Sequence, residues 1–160
     1  MDKRPKGFSL IELLIVVAII LIIAAIAIPN FLRSRIAANQ SSAVASLHTL
    51  VVGEATYSST YGAGFSANMA TLAPPTGGAS VSSTAAGLID SVLASGVKSG
   101  YTFAYSPGPV DSTGRITIFS FTGNPINSST GTQYYYVDQS GVTRQNSTTT
   151  AGSTDSPVGG

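Results

Sequence analysis

From Phe8 to Ile28 the chain is apolar at every position except Ser9 and Glu12. As a helix this run extends roughly 31 Å at 1.5 Å per residue, enough to cross the hydrocarbon core of a bilayer. Past Pro29 the pattern changes. Leu32, Ile36, Ala43, Val44, Leu47, Leu50, Val51 and Tyr57 recur at steps of three and four residues, the period of an amphipathic helix, and Gly62 supplies a C-cap after Tyr61. Pro29 removes the hydrogen bond to the Ala25 carbonyl and predicts a helix distortion where the apolar half meets the amphipathic half. Unbroken, a helix over 8–61 would be near 80 Å long, more than the remaining chain can cover. Its first half must therefore find partners outside its own fold, and Ala18, Ala24, Ala25 and Ala27 permit close helix approach.

Residues 62–100 are rich in Gly, Ala, Ser and Thr, with Pro74-Pro75 and Gly77-Gly78 as breakers, and form a connecting region. Within it, Thr84 to Ala94 predicts a short helix ended by Gly96. Then the period becomes two. Tyr101, Phe103 and Tyr105 alternate with Thr102, Ala104 and Ser106 in a strand ended by Pro107-Gly108-Pro109. Arg115 to Thr122 predicts a second strand. Its apolar positions shift from 116 and 118 to 119 and 121, which suggests a bulge or burial on both faces. Gln133 to Val137 predicts a third strand, and Asp138-Gln139-Ser140-Gly141 turns the chain into a fourth at Val142 to Arg144.

The expected fold is α+β: a long N-terminal helix whose second half packs on a small antiparallel sheet of three or four strands. The segments are 1–7, a leader; 8–29, the apolar helix; 30–61, the amphipathic helix; 62–100, the connection; 101–145, the sheet; and 146–160, a Ser/Thr/Gly-rich tail. That tail has too little apolar content to add core and is expected to be disordered or to wrap the surface.

Composition narrows the chemistry. Only 9% of residues are charged and there is no Cys, so neither a disulfide framework nor a thiolate metal site is available. Eight Lys and Arg include three within the first seven residues, beside Asp2; without that segment five bases face six acids, a side-chain charge of −1. No basic groove for nucleic acid is evident. One His, His48 on the amphipathic helix, cannot build a metal site, and no Ser lies in a G-x-S-x-G elbow. Asp111-Ser112-Thr113-Gly114 and Asp138 to Gly141 lack the ligand count of a calcium loop and read as hairpin turns. No enzymatic activity, cofactor or metal is expected. Asn127-Ser128-Ser129 and Asn146-Ser147-Thr148 match the N-x-[ST] sequon, so Asn127 and Asn146 are candidate glycosylation sites, the tail being the favoured place.

Glu12 is the anomaly, because a carboxylate within an apolar span is costly and marks function. Lys3, Arg4 and Lys6 ahead of the span hold that side cytoplasmic and place the rest of the chain outside. Cleavage after Gly7 would give Phe8 a free amine, largely cationic at neutral pH and one helical turn from Glu12. The amine can then pair with Glu12 of its own chain or of a neighbour. A secretory signal peptide cut at Ala25-Ile26-Ala27 is the blander reading. The apolar run is too long for it, and a Glu near the start of the run has no use there. A plain signal anchor, with Glu12 near the headgroups, is another.

The run Lys6-Gly7-Phe8-Ser9-Leu10-Ile11-Glu12-Leu13 resembles the cleavage and methylation motif of type IV pilins and the related pseudopilins, and the resemblance extends over about the first sixty residues. It implies that a prepilin peptidase cuts between Gly7 and Phe8, that Phe8 is N-methylated, and that Glu12 pairs with the Phe8 amine of an adjacent subunit. Pro29 falls where such subunits carry a helix-distorting proline. The implied protein is a major pilin: held in the inner membrane among lipid, passed to an inner-membrane assembly platform, and polymerised with copies of itself into an extracellular filament. The disulfide-closed C-terminal loop common among pilins is absent, so something else must hold that end. The alternatives are a pseudopilin of a type II secretion system and a single-span anchor presenting a binding domain. The calcium-binding pseudopilins usually carry a more acidic C-terminal loop than 146–160, whose one acid is Asp155.

Overall fold

The computed structural model of the chain describes residues 7–159. The basic cluster of the expected leader lies outside the described residues, as does Gly160. The chain divides into two units, one ending at Arg35 and the other beginning at Ile36. The first unit is the leading half of helix α1 (Leu10–Tyr61), which continues through Pro29. From Phe8 to Leu32 its large apolar side chains are 46–85% exposed, and no side chain from 7 to 35 is buried.

The second unit has a core of its own. Ala43, Ser46, Leu47, Leu50, Gly53, Glu54 and Tyr57 form the buried stripe of α1 at three- and four-residue steps. Gly62, with φ of 66°, ends the helix by donating its N–H to the Ser58 carbonyl at 3.0 Å. After it come a 3-10 turn (Met69–Leu72), a four-residue helix α2 (Ser91–Ala94) and six strands: β1 (Val97–Lys98), β2 (Tyr101–Pro107), β3 (Phe119–Pro125), β4 (Tyr134–Asp138), β5 (Arg144–Asn146) and β6 (Ser156–Pro157). These pair in chain order as one antiparallel meander. Tyr101, Phe103, Phe119, Phe121, Tyr135 and Val137 point inward and close the core with Leu47, Leu50, Leu72, Ile89 and Leu93. Gly123 completes the inner row of β3, where an added Cβ would lie 3.5 Å from Leu47 Cδ1.

The sheet thus has six strands where three or four were expected, because β1 and β6 are two-residue edge strands too short to leave a periodic signal. The second expected strand moves from 115–122 to Phe119–Pro125. The reason is its partner: β2 ends at Pro107, which pairs with Phe119, and the Gly108 N–H closes the hairpin on the Ile118 carbonyl at 2.9 Å. Ile116 instead bridges Val110 and Gly64, and Ile118 folds over Gly108. No bulge is needed, since Phe119, Phe121 and Gly123 alternate regularly with Ser120, Thr122 and Asn124.

Two further expectations shift. The helix expected from Thr84 reduces to α2, capped by Asp90, because Ala86, Gly87, Leu88 and Ile89 donate their N–H groups to the carbonyls of Thr71, Ala73 and Leu72. The fourth strand begins at Arg144, since residues 141–143, after the Gln139-Ser140 turn, pair with no strand. The tail is ordered along the sheet edge: Ala151 is buried, β6 pairs with β5, and Val158 N–H donates to the Thr143 carbonyl at 2.9 Å.

Candidate functional site

The residues singled out at the N-terminus lie together at the start of α1. Gly7 precedes the helix with open space around it, and Phe8 is 85% exposed, so the peptide bond between them is accessible. Ser9 occupies the position before the first helical residue. Its carbonyl accepts the Leu13 N–H at 3.2 Å, and Glu12 Oε2 accepts the Ser9 N–H at 2.9 Å. This is one half of a capping box, S-x-x-E: the carboxylate satisfies an N–H that the helix leaves without a partner and lies beside the positive end of the helix dipole. Oε1 of Glu12 makes no hydrogen bond among the described residues. Glu12 is thus already turned toward the cut that would create the Phe8 amine. Ser9 was the residue missed in reading the sequence, although the spacing from Ser9 to Glu12 is the capping-box signature.

The other candidates stand apart from this cluster. Pro29 lies within α1, with helix on both sides of it. His48 is exposed. Asp111 Oδ1 accepts from the Thr113 N–H and hydroxyl and from the Arg115 N–H. Asp138 Oδ1 accepts from the Ser140 N–H and hydroxyl. Both are turn-closing side chains. Hydrogen bonds, first from the Thr113 hydroxyl and then from the Arg115 and Thr113 amides, hold the Asp111 carboxyl below its usual range. Among the described residues no three His, Cys, Asp or Glu cluster as metal ligands would.

The two sequons differ in access. Asn127 is exposed at a turn where its Oδ1 accepts from Ser129. Asn146 is half-buried and its Nδ2 donates to Asp155 Oδ1 at 3.0 Å, so the amide that would carry a glycan is already engaged.

Residues 2–28 match the family model described as the prokaryotic N-terminal methylation motif. The type IV major pilin protein PilA of Myxococcus xanthus is 50% identical over 56 residues, which are 35% of this chain and 26% of that protein. The type IV wide pilus major component PilA4 of Thermus thermophilus is 53% identical over 49 residues, 31% of this chain and 37% of that one. The matches therefore span about a quarter and just over a third of these relatives. No solved structure matches the chain.

Proposed function

We infer that this chain, whose N-terminal segment is that of a type IV pilin, is the major structural subunit of a type IV pilus. The observation that carries the reading is the pairing of a methylation motif with a helix half that buries nothing of its own. Each Leu or Ile on it stands to gain about 1.5–3 kcal/mol on leaving water, so the segment does not stay bare. Lipid covers it first, in the inner membrane. In the filament, the same halves of other copies take the place of lipid.

Apolar surface cannot drive that exchange, because lipid tails are as apolar as Leu. Packing and polar pairing must supply the preference. A prepilin peptidase hydrolyses the Gly7–Phe8 amide, and the released Phe8 amine, once methylated, keeps its positive charge. In the water-poor core an unmatched Glu12 is expensive, so a subunit is retained where a neighbouring amine meets it. The capping bond to Ser9 uses Glu12 Oε2, which leaves Oε1 to accept that amine on this reading. On this reading the protein acts by polymerisation and carries out no catalysis.

The test is the intact mass and N-terminal sequence of the protein in sheared cell-surface material. A chain starting at methylated Phe8 is expected. A chain starting at Ile28 would instead mean a secreted domain, and one retaining Lys3 to Gly7 a membrane anchor; either would overturn the reading.

A further inference from the structure

Glu54 lies on the buried stripe of α1 and is fully enclosed. Its Oε2 accepts the Ser66 N–H at 2.8 Å, and its Oε1 lies 2.6 Å from Ser66 Oγ. The same Oγ lies 3.1 Å from the Asn68 carbonyl oxygen. A serine hydroxyl has one hydrogen. If Glu54 is ionised, Ser66 can serve the carboxylate or the Asn68 carbonyl but not both. If Oε1 carries a proton, Glu54 donates to Ser66 Oγ, Ser66 donates to Asn68, and the Ser66 N–H still reaches Oε2.

Among the described residues no cation pairs with Glu54, the ion pair there being that of Lys98 with Asp90. The titratable groups bearing on Glu54 are Tyr57 from its own helix and Tyr105 from β2. The Tyr105 hydroxyl donates to the Ser66 carbonyl at 2.6 Å, and that of Tyr57 to the Ser83 carbonyl at 2.8 Å. Neither brings a positive charge.

We propose that Glu54 acts as a proton-dependent latch, closed when it is the neutral acid and joining α1 to the segment Ser66–Leu72 through the chain Glu54–Ser66–Asn68. Burial pushes its carboxyl above the usual range, against the opposing pull of hydrogen bonds from Ser66 and from the Tyr105 hydroxyl. The segment it holds is central to the unit that begins at Ile36. Asn68 caps the 3-10 turn by accepting the Thr71 N–H, Leu72 is wholly buried, and the carbonyls of 71–73 anchor residues 86–89. Loss of the proton removes the donor that lets Ser66 reach Asn68 and leaves a charge in the core. Because the folded state binds this proton more tightly than the unfolded chain, the stabilisation is complete below the ordinary glutamate pKa and is lost as pH rises through the folded value.

The chain contains two glutamates, Glu12 and Glu54, so carboxyl-labelled glutamate gives two NMR lines in the full-length protein held in detergent micelles. Glu12→Gln assigns them. The Glu54 line is expected to titrate above the ordinary value of about 4.3, with the Ser66, Asn68 and Thr71 amides moving at the same midpoint. A midpoint at or below the ordinary value, or amides that do not follow it, overturns the proposal. Gln at 54 reproduces the acid's pattern, Nε2 donating to Ser66 Oγ and Oε1 accepting from the Ser66 N–H. Glu54→Gln should therefore stay folded and lose this pH dependence, whereas Glu54→Ala should be destabilised. A Gln variant as unstable as the Ala variant would show that the ionised carboxylate is what the fold needs.

Discussion

Replacing Asp155 by Ala tests what closes the C-terminal end of a chain that has no disulfide. Asp155 Oδ1 accepts from Asn146 Nδ2 at 3.0 Å and Oδ2 from the Gly152 N–H at 2.8 Å, while its carbonyl accepts from Arg144 Nη1 at 2.9 Å. The substitution removes the first two bonds. Partial exposure holds each of these bonds to about 1–1.5 kcal/mol net, so the pair contributes about 2–3 kcal/mol. β6 pairs through only two residues, so this loss should open the tail locally before the sheet unfolds. At 1.4 kcal/mol per factor of ten, the Val158 amide, bonded to the Thr143 carbonyl, should exchange with solvent about 30- to 150-fold faster. Hydrogen exchange read by NMR at Gly152 and Val158, with Phe121 as the internal reference, measures it. Asp155→Asn should fall between, since its amide NH2 meets another donor on one side. Unchanged protection at Val158 in Asp155→Ala would refute the staple, and equal acceleration at Phe121 would refute local opening.

Two more substitutions probe other carboxylates. Glu12→Ala should leave cutting and methylation of Phe8 intact by mass spectrometry yet give no ordered filaments by electron microscopy of sheared material; normal filaments from this variant would sink the pairing of Glu12 with the amine. Asp90 caps α2, with Oδ1 accepting the Leu93 N–H at 2.8 Å and Oδ2 bonded to Lys98 Nζ at 2.9 Å, and those bonds, the Leu93 amide first, hold its carboxyl below its usual range. The cap is worth about 1 kcal/mol and the half-exposed ion pair a few tenths. A depressed pKa gives stability above the unfolded value that is lost as pH falls through the folded one. The deficit of Asp90→Ala in chemical denaturation should therefore be present at neutral pH and shrink below about pH 4; a gap that persists unchanged into strong acid contradicts the assignment.

What could be read from the sequence follows how local each cause is. The long helix was legible because its apolar half is uninterrupted and its second half repeats at three and four residues. β2 was legible because Tyr101, Phe103 and Tyr105 alternate without a break and Pro107 stops them. β3 was misplaced because Ile116 and Ile118 are as apolar as Phe119, and only the end of β2 decides which of them meets a partner. The order of the tail was hidden for a similar reason. Its composition offers nothing to bury beyond Ala151, and its fixed course depends on one acid, Asp155, reaching residues that are remote until the hairpin forms. Glu54 went unread, although it falls on the stripe with Leu47, Leu50 and Tyr57, where a lone acid is out of pattern. Its partner, Ser66, stands beyond the helix end, where no periodicity points.

Glu12, Glu54 and Asp155 stand at the three places where apolar contact cannot choose between alternatives. Burial of Leu and Ile is non-directional, so a bare apolar helix can slide by a turn against lipid or a like helix at little cost, and a loop or tail poor in apolar groups has no preferred seat. A hydrogen-bonded carboxyl has one set of donors at fixed distances and is expensive to leave without them. In a chain with 9% charged residues and no cysteine, these groups are among the few directional side chains available for register. Substitutions in the apolar core, such as Leu47→Ala, should therefore lower stability by about 2–5 kcal/mol without changing which segments meet. Substitutions at the carboxyls should free a helix, a loop or a strand edge to sit elsewhere.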